Sequence, residues 1–92
     1  MTVEPILAPR PPEESTILIV DDEPRNVLLL ERALEGAGFT RVHSALDPLR
    51  ALALCREVKP DLLIVDLHMP GVDGIELMGM IARALPRVRY AG

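Results

Sequence analysis

Three carboxylates stand where chemistry can use them. Asp21 and Asp22 follow the apolar run Ile17-Leu18-Ile19-Val20, and Asp66 follows Leu62-Leu63-Ile64-Val65. Short continuous apolar runs suit strands buried on both faces, as in a parallel sheet. In an open α/β sheet, ligands bind just beyond the carboxyl ends of the strands. If the two runs are parallel neighbours, the three acids share one crevice. Crowded carboxylates repel one another, and a hard divalent cation relieves that repulsion. Mg²⁺ suits such a donor set, because it takes a few carboxylate oxygens with a carbonyl and several waters. A carboxylate beside Mg²⁺ can also act as a nucleophile and form an aspartyl phosphate. The cation then offsets charge on the transferring phosphoryl oxygens. The plainer alternative is that these acids only end strands and cap helices. Asp22 or Glu23 could cap the first helix, whereas Asp66 precedes a turn and is not placed as a cap.

The elements that must position these acids alternate in type. The first strand starts at Thr16. Pro24 fits the first turn of a helix, where its missing donor costs nothing. Val27, Leu28, Leu30, Ala33, Leu34 and Ala37 recur at helical spacing, and Gly36 and Gly38 end that helix. Thr40 to Ser44 predicts a brief strand with Val42 inward and His43 on the surface. Asp47-Pro48 reads as an N-cap followed by the first helical residue. Leu49, Leu52, Ala53 and Cys55 or Arg56 carry this second helix to Val58, and Lys59-Pro60 ends it. After Asp66 comes a turn, Met69-Pro70-Gly71, and Asp73 is placed to cap a third helix. Ile75, Leu77, Met78, Ile81, Ala82 and Leu85 form its stripe, with Met78 and Met80 read as packing residues. Pro86 ends it, and Arg87 to Gly92 could begin a strand. The order is β-α-β-α-β-α, which implies an α/β fold with a parallel sheet.

Bulk properties narrow the class. The 92 residues suffice for one small domain. The hydrophobic fraction is 49% with only Phe39 and Tyr90 aromatic, so the core must be aliphatic. A net charge of -4 argues against direct nucleic-acid binding, which needs a basic face. No apolar run is long enough to span a membrane, and the start lacks a secretory signal pattern. A cytoplasmic location is the expectation. Residues 1–15 carry Pro5, Pro9, Pro11 and Pro12 and read as a disordered tail, with the domain at 16–92. The single cysteine, Cys55, reads as a buried helix residue.

Ile17 to Asp22 with Glu23-Pro24, and the stretch Pro60-Asp61-Leu62-Leu63-Ile64-Val65-Asp66-Leu67-His68-Met69-Pro70-Gly71-Val72-Asp73-Gly74, resemble receiver domains of bacterial two-component response regulators. The resemblance covers Thr16 to about Leu85. It implies a doubly wound, flavodoxin-like (CheY-like) sheet, incomplete here, with strand order 2-1-3 over the predicted strands. It also implies that Asp66 takes a phosphoryl group from a sensor histidine kinase or phosphotransfer protein. Asp22 and Asp66 would bind Mg²⁺ directly, Asp21 would assist through a water, and the His68 backbone carbonyl would be a further ligand. The His68 side chain would tune dephosphorylation. Such a domain catalyses only its own phosphorylation and dephosphorylation.

Two residues of the family pattern are not matched. One is a Thr or Ser ending the fourth strand, and the other is a Lys ending the fifth. Lys59, the only lysine, precedes the third strand, and Thr16 and Thr40 also precede strands. Ser44 lies at the correct edge, but no motif gives it the role. The chain therefore reads as cut short after the third helix, leaving the third strand as an open edge. Strand pairing, helix exchange or another oligomeric contact that covers this edge is the expected remedy. The competing reading is a degenerate receiver that works as a non-phosphorylated dimerisation or interaction module. A phosphatase of the haloacid dehalogenase type wants an acid two residues after the nucleophile, where His68 stands. A nucleotide-binding domain would need a Gly-rich loop after the first strand, and none is present.

Overall fold

Thr16–Val20 (β1) and Leu62–Val65 (β3) are the strands that the two apolar runs predict. The computed structural model describes residues 11–66, 74–85 and 88–91. Between and after these strands lie Pro24–Gly36 (α1), Arg41–Ala45 (β2), Ala51–Val58 (α2), Gly74–Ala84 (α3) and Arg89–Ala91 (β4). All strand pairs are parallel, and the sheet order is β2-β1-β3-β4. The predicted order 2-1-3 is present, and a fourth strand extends it, as in the flavodoxin-like order.

The period of two along each strand divides the core. Ile17, Ile19, Leu62 and Ile64 point to one face and pack with Val27, Leu34 and Phe39, so α1 covers that side. Leu18, Val20, Leu63 and Val65 point to the other, against Ala51 and Cys55 of α2 and Leu77 and Ile81 of α3. Every one of these strand residues is buried, which explains why the runs are continuous and do not alternate.

β4 changes one expectation. Its main chain pairs with Leu62, Leu63 and Ile64, so β3 is not the open edge that the sequence suggests. Among the described residues, the edges are β2 and β4. The ladder begins with the Arg89 N–H on the Asp61 carbonyl at 3.1 Å.

Helix faces differ in places from the predicted stripes. In α1, Val27 and Leu34 are buried and Leu30 packs against the core, but Leu28, Ala33 and Ala37, which the pattern places on the same stripe, are exposed. A helix lying on a flat sheet buries only one narrow stripe. In the second helix, Leu49 is 82% exposed, while Ala51 and Cys55 are buried. Pro48–Arg50 forms a 3-10 turn, so regular α-helical spacing starts only at Ala51 and the inward face is displaced. Ala53 is also exposed. In α3, Leu77 and Ile81 are buried and Met78 and Leu85 pack against them, but Ile75 and Met80 are exposed. Met80 is therefore not the packing residue predicted for it.

Helix ends obey local chemistry. The Asp47 side chain accepts the Leu49 N–H at 2.9 Å, as an N-cap should. α1 closes with the Gly38 N–H on the Glu35 carbonyl and the Phe39 N–H on the Leu34 carbonyl. Gly38 sits at φ 94, which only glycine adopts without strain, and Phe39 packs back onto Leu34. α2 ends on Lys59 at φ 50, a left-handed conformation in a residue with a side chain. The chain ahead of β1 is shaped as well. Pro12–Glu14 forms a 3-10 turn, and the buried Ser15 hydroxyl donates to the Pro11 carbonyl. Packed chain thus begins before Thr16, earlier than the tail boundary at residue 15. Residues 1–10 of the predicted tail lie outside the described residues, as do the Met69-Pro70-Gly71 turn and the Asp73 cap.

Candidate functional site

The register of the sheet brings the acids together. Val20 pairs with Val65, so the next residues, Asp21 and Asp66, leave neighbouring strands side by side. Both stay attached to the sheet by one more bond. The Asp21 N–H donates to the Ala45 carbonyl at 3.1 Å, and the Asp66 N–H donates to the Val20 carbonyl at 3.0 Å. Asp22 is the first residue beyond the ladder.

One carboxylate oxygen from each of Asp21, Asp22 and Asp66 lies within 4.8 Å of the others. Asp21 is buried, Asp66 half-buried and Asp22 exposed. The group is therefore a crevice at the carboxyl end of the sheet, open on the Asp22 side. Asp21 is held from within: its Oδ1 accepts the Glu23 N–H at 2.9 Å. That bond occupies one of its oxygens and leaves the other for a cation or a water. Glu23 turns the other way, and its Oε1 accepts the Arg25 N–H at 3.2 Å as the N-cap of α1. The sequence leaves the cap open between Asp22 and Glu23; the structure gives it to Glu23. Asp22 is thereby released to the cluster.

The donor set is three carboxylates at a water-facing edge, with no histidine or thiol among the described members. Hard oxygen donors of this kind fit a hard divalent cation, Mg²⁺ among them, better than a soft metal such as copper or zinc. His68 lies outside the described residues, so the carbonyl assigned to it by sequence is not among the placed donors. Lys59 ends α2 and precedes the amino end of β3, whereas Asp66 follows the carboxyl end. The only lysine of the chain is thus at the opposite edge from the acids.

Cys55 is remote from this chemistry. It is fully buried on the inner face of α2, and burial pushes its thiol up to about 11. A thiol so held stays protonated and unreactive at neutral pH. No helix of the described residues is long and apolar enough to cross a membrane.

Sequence reasoning did not identify two positioning features. The Ala45 carbonyl that fixes Asp21 has no side-chain signature, since any residue supplies a carbonyl. Asp61, beside the recognisable Pro60, is the other. Its Oδ2 accepts the Thr16 N–H at 2.9 Å while its own N–H donates to the Thr16 carbonyl at 2.7 Å. The signal available for it was an acid immediately ahead of a buried strand.

Known proteins resemble the chain along most of its length. The family described as the response regulator receiver domain matches residues 17–90. The sensor protein EvgS of Escherichia coli O157:H7 is 48% identical over 66 residues, 72% of this chain and 5% of that protein. The DNA-binding response regulator MtrA of Mycolicibacterium smegmatis is 41% identical over 61 residues, 66% of this chain and 26% of that protein. Among solved structures, the N-terminal domain of a response regulator receiver protein from Methanoculleus marisnigri JR1 superposes with a TM-score of 0.76. It is 30% identical, and the match covers 84% of this chain and 63% of the other. The chain therefore spans only a small part of the curated relatives' length.

Proposed function

Because the chain belongs to the response regulator receiver family of two-component signalling, we propose that Asp66 accepts a phosphoryl group in the presence of Mg²⁺. The observation that carries this reading is the meeting of Asp21, Asp22 and Asp66 within 4.8 Å at the carboxyl end of the sheet. The donor is the phosphohistidine of a sensor histidine kinase or phosphotransfer protein. An Asp66 carboxylate oxygen forms the new O–P bond as the donor N–P bond breaks. The electron pair of the broken bond leaves on the imidazole nitrogen.

Asp22 and Asp66 would hold the cation directly, together with the His68 carbonyl that the resemblance assigns, and Asp21 would assist through a metal-bound water. When bound, Mg²⁺ offsets negative charge on the phosphoryl oxygens. Tethering of the Asp66 main chain to Val20 fixes the point from which its carboxylate reaches the crevice. The chain then acts as a signalling module in the cytoplasm, without direct nucleic-acid contact and without substrate turnover beyond its own aspartyl phosphate.

Acetyl phosphate with Mg²⁺ provides the test. Intact-mass spectrometry should find one phosphoryl group on the chain, lost on mild alkaline treatment and missing from Asp66→Asn. A mass gain that persists in Asp66→Asn would refute the assignment.

One observation favours a second reading. No lysine stands at the acidic edge, since Lys59 lies at the other end of β3. With its only lysine at the far end of β3, the chain would then work through contact with a second copy and not through phosphorylation. Failure to take phosphoryl, together with a discrete dimer in sedimentation, would select that reading.

A further inference from the structure

Three consecutive acids, Asp21, Asp22 and Glu23, join β1 to α1. A cation drawn to this corner could meet four carboxylates, these three and Asp66. The structure divides them differently. Asp21 is tied to the sheet by its N–H on Ala45 and to the next turn by its Oδ1 on the Glu23 N–H. Glu23 is tied to α1 through its Oε1 on the Arg25 N–H. It is absent from the carboxylate group that Asp21, Asp22 and Asp66 form among the described residues.

We propose that Glu23 is a positioning residue that fixes Asp22 for the cation, and is not itself a ligand. The proposal rests on the reading of the acidic cluster as a Mg²⁺ site. Asp22 is exposed and lies outside the ladder, so its placement depends on the residues on either side. Asp21 anchors one side to β1, and the Glu23 cap anchors the other to α1. Pro24 has no N–H, which makes Arg25 the first helical N–H that needs an acceptor. A carboxylate is favoured there by the positive end of the helix. The same bond keeps a fourth negative charge out of the cluster. Three carboxylates with water on the open side suit a small, strongly hydrated cation, whereas a fully protein-lined cage suits Ca²⁺.

Calorimetric titration of Mg²⁺ into the protein, without any phosphodonor, separates the possibilities. Glu23→Ser keeps a capping oxygen and removes the carboxylate, while Glu23→Ala removes both. The Ser variant should bind Mg²⁺ within about twofold of the parent, since a screened charge outside the cluster contributes little. The Ala variant should bind about fivefold more weakly, the equivalent of a lost cap. Circular dichroism should show a lower melting temperature for Ala than for Ser. A Ser variant at least tenfold weaker than the parent would make Glu23 a ligand and overturn the proposal, and so would an Ala variant at parental affinity. If Ala does not fold, the Ser variant alone decides between the same outcomes. A parent that binds no Mg²⁺ removes the receiver reading of the cluster, and the proposal falls with it. A parent that binds while Ala is unchanged overturns the proposal alone.

Discussion

The Asp66 N–H donates to the Val20 carbonyl at 3.0 Å, one step beyond the last paired residues of β1 and β3. The main chain of the proposed nucleophile is therefore sheet, although its side chain belongs to the site. Asp66→Asn keeps this bond and removes one of three mutually repelling charges. Without Mg²⁺, its stability should rise on the order of 0.5 kcal/mol. Urea denaturation in a chelating buffer measures this, and a loss above about 1 kcal/mol would contradict the repulsion.

Mg²⁺ should stabilise the fold by mass action, because an unfolded chain does not assemble Asp21, Asp22 and Asp66. At a concentration tenfold above its Kd the gain is about 1.4 kcal/mol. A thermal melt should move up with Mg²⁺ and return when a chelator is added. Asp22→Asn should blunt the shift, and an equal shift in that variant would argue that the ion binds elsewhere.

Asp61 clamps the opposite end of the sheet. It exchanges two hydrogen bonds with Thr16 and accepts a third from the Arg89 N–H through its carbonyl. Asp61→Ala loses the side-chain bond and leaves the Thr16 N–H unpaired, costing about 1–2 kcal/mol. Asp61→Asn, which retains an acceptor oxygen, should recover most of it. Chemical denaturation of both variants checks the ordering.

Lys59 holds φ 50 at the end of α2. A side chain in that conformation is strained, and glycine is not. Lys59→Gly should stabilise the domain by about 0.5–1 kcal/mol, and Lys59→Val should destabilise it. Because Lys59 is at the far end from the acids, Mg²⁺ affinity should be the same in both.

The Cys55 thiol gives a pH dependence of known sign. Burial raises it from 9.0 to about 11, so the folded state favours the neutral thiol. Stability is therefore fully present well below pH 9, falls between pH 9 and 11 as the unfolded chain ionises before the folded one, and levels off above the folded value. Two units correspond to about 3 kcal/mol. Denaturation at pH 8 and pH 10.5 should show a steeper loss for the parent than for Cys55→Ala. Equal slopes would mean that the thiol is not the group responsible.

The strands were legible because their burial is extreme. Ile17 to Val20 and Leu62 to Val65 have both faces covered, and short apolar runs bounded by acids and prolines are the pattern of strands buried on both faces. The helix faces were less legible. Leu28, Leu49, Ile75 and Met80 are apolar yet exposed, since a helix on a sheet turns only one stripe inward and a 3-10 start displaces that stripe. β4 was at the limit of detection, because Arg89, Tyr90 and Ala91 carry almost no strand pattern and are held by their pairing to β3.

The sequence by itself determined which residues end the two buried strands, and hence that Asp21, Asp22 and Asp66 are the candidates. Residue type and position along the chain suffice for that, because an acid that follows a buried strand leaves it at its carboxyl end. Only the tertiary structure decided the roles within the acidic stretch. Glu23 and Asp22 are adjacent and chemically alike, yet one caps α1 and the other joins the cluster. The difference arises where the chain leaves the sheet and enters the helix, and it is set by which backbone N–H each carboxylate can reach. Parallel pairing of Val20 with Val65 then brings Asp21 and Asp66, far apart along the chain, to within 4.8 Å, a proximity that no local pattern encodes.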